Sequence, residues 1–188
     1  MNFYEISARQ DYAGYYPEEL GGEMPDARVP HGYRQVERVV SEYLGDPPRK
    51  PGKKGDFHKS AVSFFARGAT LAFLETACRG QWATEPATLK DRDGDGFRQF
   101  WVLNFVDCLD VAASRIGDKL HKDPKRVGVI KRVVIDEARW DGSDLFVLPQ
   151  NPNHTLYCSE RFVDGWKAAK LKGALFSRYL MDPEAIKA

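Results

Sequence analysis

The sequence predicts an α+β protein with a mixed, mainly antiparallel sheet and a few short helices. Three observations carry this: strand-length runs of β-branched and aromatic residues recur along the chain, Gly/Pro/Asp turn chemistry separates them, and apolar residues at helical spacing are confined to short stretches. At 188 residues such a chain buries roughly 70% of the surface its unfolded form exposes, so it needs no disulfide or metal staple.

Phe3-Tyr4-Glu5-Ile6 reads as an opening strand. From Tyr12 to Pro30 the breakers Gly14, Pro17, Gly21, Gly22, Pro25 and Pro30 leave little room for regular structure. Val36, Val39, Val40, Tyr43 and Leu44 then recur at i, i+3, i+4, i+7 and i+8, with Gly45 and Pro47 as the stop, which predicts a helix over 33–44. The Pro/Gly/Lys stretch 46–55 propagates neither helix nor strand, and its basic run reads as a solvated loop. Beyond it the pattern predicts a short strand at 61–65, a helix over 69–78 stopped by Gly80, and an extended stretch 81–89. Asp91-Arg92-Asp93-Gly94-Asp95-Gly96 is hairpin-turn chemistry, leading into a buried strand over 97–109. Strands follow at 127–136 and, after the Asp141-Gly142 turn, at 144–148. The last unit is a strand at 155–158, a helix over 160–171 with Phe162, Val163 and Trp166 on one side, Gly173 as its stop, and an extended 174–180.

Two regions are expected, an irregular N-terminal one over 1–55 and an α+β body over 56–188. Within the body, Phe64-Phe65-Ala66-Arg67, a helix and Gly80-Gln81-Trp82 parallel Leu156-Tyr157-Cys158-Ser159, a helix and Gly173-Ala174-Leu175 about ninety-two residues later. This is either a duplicated strand-helix-strand unit or what any glycine-stopped amphipathic helix would share.

Charge and composition exclude several functions. With 28 Lys+Arg against 27 Asp+Glu the formal net charge is +1, without the basic excess of a nucleic-acid binder, so no nucleic-acid partner is expected. No basic n-region and apolar h-region open the chain, and no run approaches the ~18 apolar residues of a membrane span, so it reads as soluble, cytoplasmic and without a membrane partner. Cys78, Cys108 and Cys158 form no CxxC pair and the four histidines no i, i+4 pair, so neither metal nor cofactor is expected.

Asp91-Arg92-Asp93-Gly94-Asp95-Gly96 matches the first half of an EF-hand loop, but Val102 occupies the twelfth position, where the bidentate acid belongs, so a hairpin is the simpler reading. Cys108 is the best nucleophile candidate, yet its neighbours Asp107 and Asp110 disfavour the thiolate, and it reads as a buried strand residue. No GxSxG, HExxH, GxxxxGK[ST] or GxGxxG motif occurs. Trp101 and Trp166 are expected in the core, whereas Trp140, beside the Asp141-Gly142 turn, is expected to reach the surface.

Blocks in the C-terminal half are more specific. They comprise Phe100-Trp101-Val102-Leu103-Asn104-Phe105-Val106-Asp107-Cys108-Leu109-Asp110, Val129-Ile130-Lys131-Arg132-Val133-Val134-Ile135-Asp136, Asp144-Leu145-Phe146-Val147-Leu148, and Leu156-Tyr157-Cys158-Ser159-Glu160-Arg161-Phe162 with Lys167 to Phe176. Their order and spacing over about 60–180 resemble the immunity protein 11 family of bacterial polymorphic toxin systems. The sequence departs from that pattern at Phe146-Val147, where an aromatic followed by Arg is expected. The resemblance implies a small cytosolic protein that binds a cognate toxin and neutralises it by occlusion, without catalytic residues or cofactor. Such an inhibitor needs exposed aromatics and charges complementary to its target. The acidic N-terminal segment with Tyr15, Tyr16, Glu18, Glu19 and Glu23, the carboxylates Asp91, Asp93 and Asp95, and Trp140 are the residues expected at that contact.

Overall fold

The computed structural model describes residues 1–8, 15–17, 41–45, 55–59, 64–78, 82–89, 96–117, 127, 130–151, 155–178 and 186–187. In chain order its elements are β1 (Phe3–Ala8), β2 (Tyr15–Pro17), β3 (Ser41–Gly45), β4 (Phe57–Lys59), β5 (Phe64–Ala66), α1 (Gly68–Ala77), β6 (Trp82–Leu89), β7 (Arg98–Val102), β8 (Arg115–Ile116), β9 (Ile130–Arg132), β10 (Leu145–Phe146), β11 (Leu156–Ser159), α2 (Glu160–Ala168), β12 (Ala174–Ser177) and β13 (Ile186–Lys187). They form a five-stranded sheet in the order β10-β11-β1-β12-β13, a six-stranded sheet in the order β2-β3-β6-β7-β5-β4, and a β8-β9 ribbon. Among the described residues every strand pairing is antiparallel except β3 with β6. The α+β class with a mixed, mainly antiparallel sheet therefore holds.

The strand-helix-strand unit occurs twice with one topology. In the first, β5 and β6 both run antiparallel to β7, which lies between them. In the second, β11 and β12 flank β1 in the same way. Equivalent residues, Arg67 and Ser159, cap the two helices in extended conformations. The caps differ in chemistry. Ser159 accepts a hydrogen bond from the Phe162 backbone N–H at 3.3 Å, with Glu160 in the first turn and Lys167 in the last, a helix end worth about 1 kcal/mol in its own right. Arg67 caps α1 with no side-chain bond and instead donates from Nε to Asp56 at 2.8 Å, so α1 depends on packing.

The helices meet through aromatic rings. Phe73 of α1 lies edge-on to Phe162 and Trp166 of α2, with centroids 5.1 and 5.8 Å apart. Gly165 makes this approach possible, since a Cβ there would sit 3.1 Å from the Phe73 ring. Around the fully buried Trp166 one core unites both sheets, including Ile6, Phe57, Phe100, Leu156 and Phe176. A second cluster covers the other face of β10 and β11, with Phe146 and Tyr157 against Val106, Cys108, Leu109 and Ile130. β11 is thus buried on both faces, which accounts for its unbroken Leu-Tyr-Cys-Ser run.

Several expectations are corrected. Ser41–Gly45 is strand, so the helix expected over 33–44 does not reach Leu44; Tyr43 and Leu44 pair with Pro17 and Tyr16, where tertiary pairing outweighs a helical period. Residues 33–40 and the linker 46–54 lie outside the described residues. The strand expected over 97–109 ends at Val102. There the buried Asn104 turns the chain from one sheet to the other: its carbonyl accepts from Val147 N–H at 2.8 Å and its side-chain amide donates to Leu145 O at 3.4 Å. Only isolated bridges, Phe105 to Val147 and Leu109 to Ile135, continue it; the strand expected over 127–136 ends at Arg132, and its residues 128–129 lie outside the described residues. Trp101 is only partly buried, because the neighbouring Phe100 and Val102 take the core face of β7.

The last helix ends at Ala168, and its stop is Lys170 rather than Gly173. Lys170 adopts φ 55°. Its N–H donates to Lys167 O and that of Leu171 to Trp166 O, the pairing of a Schellman cap in which glycine is the usual residue. Lys170→Gly is expected to stabilise the fold by about 1 kcal/mol, read as a raised denaturant midpoint; no gain would show the left-handed residue to be unstrained.

Candidate functional site

The segments beyond Asn104 build a small polar platform on the second core. Asp110 N–H donates to Val134 O at 2.9 Å and Asp136 N–H to Cys108 O at 2.8 Å, zipping two stretches together. Each aspartate then folds its own turn. Asp110 accepts from the backbones of Ala112 and Ala113 at 3.0 Å, and Asp136 accepts from Ala138 at 3.0 Å. Arg139 locks the two turns, donating to Asp136 at 2.8 Å and to Leu109 O at 2.6 Å. That hydrogen bond from Arg139 holds the Asp136 carboxyl below the usual carboxylate range.

Beyond Ser114 the platform becomes the β8-β9 ribbon, and its register places Arg115 directly opposite Arg132. Both side chains, and Lys131 beside them, are exposed. Like charges across an antiparallel pair repel. Between this ribbon, the start of β1 and Arg178 lies an open cleft of about 1060 Å³. Among the described residues, Arg115, Lys131, Arg132 and Arg178 line it against one acidic residue, Glu137, and the Glu137 carboxylate accepts from the N-terminal amino group at 2.6 Å. Phe3 forms part of the wall, its ring edge-on to Trp140 and Phe146 at 5.1 and 6.1 Å. The arrangement suits an anionic, partly apolar ligand surface.

The residues expected from sequence fall elsewhere. Trp140 is half-buried: its indole N–H donates to Ser143 O at 3.0 Å and the Arg161 guanidinium lies 5.4 Å from its ring. Tyr15 and Tyr16 belong to β2 and pair with Gly45 and Leu44. Glu18, Glu19, Glu23, Asp91, Asp93 and Asp95 lie outside the described residues. The aspartate-rich segment 91–95 itself lies outside the described residues, but the strands on either side of it pair antiparallel, with Trp82 opposite Val102 and Pro86 opposite Arg98, so strands rather than EF-hand helices flank it.

The cysteines are buried and free. Burial, reinforced by the Asp141 charge, pushes the Cys108 thiol up to about 12; burial alone does the same to Cys78, and Cys158 is raised well above its ordinary value. A nucleophilic cysteine needs the opposite shift. Among the described residues no group of His, Cys, Asp and Glu is arranged to hold a metal, and no helix is long and apolar enough to cross a membrane.

Sequence reading missed Arg115, Lys131 and Arg132. The signal available was the local excess of Arg115, Lys119, Lys122, Lys125, Arg126, Lys131 and Arg132 over Asp118 and Asp123, but the opposition of two arginines is visible only from the register.

No curated protein matches the chain. The model of the immunity protein family (Imm11) matches residues 74–179, from within α1 through α2 and β12, including the platform and the basic residues of the cleft. A match over more than half of the 188 residues, on the same blocks that carried the sequence resemblance, places this chain in the Imm11 immunity protein family.

Proposed function

We propose that this protein neutralises a cognate bacterial toxin in the cytoplasm by binding it and occluding its working surface, with no chemical step of its own. Membership of an immunity family carries the reading. The competing reading is a small hydrolase or modifying enzyme using Cys108 or a His-carboxylate pair, and the buried, proton-retaining thiols speak against Cys108 as its nucleophile. An occluding contact of ordinary size takes about 20–30 residues a side and carries charges complementary to the target. On the sequence argument, Tyr15, Tyr16, Glu18, Glu19, Glu23, Asp91, Asp93, Asp95 and Trp140 contribute to that contact, and charge reversal at the acids that left toxin affinity unchanged would remove them from it.

The test is co-expression of this protein with the candidate toxin encoded beside its gene. Growth should be rescued equally by the wild type and by Cys108→Ala, and a stable complex should elute from a sizing column. Rescue lost in the alanine variant, with its fold intact, would favour the enzyme instead.

A further inference from the structure

We propose that the cleft between the β8-β9 ribbon and the start of β1 docks an acidic segment of the toxin, held by Arg115, Lys131 and Arg132. The inference rests on the immunity reading and names the chemistry of its partner. Three observations carry it. The cleft is concave and open, about 1060 Å³ in volume, and among the described residues of its lining Arg115, Lys131 and Arg132 outnumber the one carboxylate, Glu137, which the N-terminal amino group engages. The fold sets Arg115 against Arg132 across the ribbon, an arrangement that costs stability in the free protein and is relieved when an anion lies over both. Finally, the ribbon carries this charge in a chain whose formal net charge is only +1, so the attraction is a local one.

A protein carboxylate surface fits better than nucleic acid. Strand binders offer free aromatic faces on which bases stack, whereas Phe3, the one aromatic among the described lining residues, is already engaged in edge-type contacts with Trp140 and Phe146. Arginine also pairs with carboxylates through two parallel hydrogen bonds, and two guanidiniums facing each other can each take one.

The experiment uses the full-length protein and the purified candidate toxin encoded beside its gene, with Arg115→Glu/Lys131→Glu/Arg132→Glu and single Arg115→Glu as variants, the melting temperature of each reporting its own fold. Arg115→Glu converts a repelling pair into an attracting one, so its melting temperature should equal or exceed that of the wild type. The triple variant should bind the toxin about 100-fold more weakly, and wild-type affinity should fall steeply between 50 mM and 300 mM salt, roughly tenfold, while that of the variant stays flat. Equal affinity of wild type and triple variant, with rescue intact, would overturn the cleft and leave the immunity reading standing. Failure of the wild type to rescue or bind would overturn both. A 20-nucleotide RNA bound more tightly than the toxin, and lost in the triple variant, would give the cleft to nucleic acid and overturn the protein occupant.

Discussion

Trp166→Ala should cost about 3–5 kcal/mol of folding stability, the largest loss expected from any single core truncation here. The side chain is fully buried. Its ring centroid lies 5.4 Å from that of Phe57 in β4, 5.8 Å from that of Phe73 in α1, 5.9 Å from that of Phe162 and 5.8 Å from that of Phe176. Removing it opens a cavity between the two repeated units, where neither sheet can move in to fill the space. The Trp166 Nε1–H has no hydrogen-bond partner among the described residues, so Trp166→Phe removes an unsatisfied donor along with part of the ring. That variant should lose less than half as much. Urea denaturation checks both. A loss below 1 kcal/mol for the alanine variant would mean that the two units are stabilised separately.

Gly173→Ala is expected to cost about 2–4 kcal/mol although it adds a single carbon. Gly173 has φ +103°, and a Cβ built on it would lie 2.9 Å from the carbonyl oxygen of Phe57. That oxygen belongs to the backbone of β4 and has no rotamer to escape into. The link from α2 to β12 passes directly over the other sheet's edge at this point. Gly142→Ala separates the two costs, because Gly142 has φ +82° but open space where its Cβ would be. It should lose only about 1–2 kcal/mol, the conformational part alone. Equal losses at the two positions would show that Phe57 gives way.

How far the sequence reached depended on the distance over which each decision is made. The helix α2 and its buried Phe162-Val163-Trp166 side follow from residues within one or two turns, and both were legible. So was the hairpin around Gly96, because turn chemistry acts over four residues. The second unit could be matched to the first because both repeat a local pattern, although only the sheets revealed that each encloses a foreign strand, β7 in one and β1 in the other. Tyr43 and Leu44 were misread because a helical period in their own neighbourhood competed with a parallel partner, β6, more than forty residues on. Phe97 to Leu109 was read as one strand because nothing local announces that Asn104 will be needed by Val147 and Leu145 of the other sheet.

The same division runs through the functional site. By itself the sequence determined the α+β class, the family blocks and the absence of known catalytic motifs, all properties of order and spacing along the chain. It also held a local excess of positive charge, yet charge along a chain has no direction. Only the tertiary structure turned that excess into a face, by pairing β8 with β9 in the register that sets Arg115 against Arg132 and by laying the start of β1 alongside to close a cleft. It likewise decided the chemistry of Cys108, since burial in the second core, more than its acidic neighbours, keeps that thiol protonated. Propensity and turn chemistry are short-range and can be read in one dimension; register, burial and electrostatic focusing arise when distant residues meet, and exist only in the folded protein.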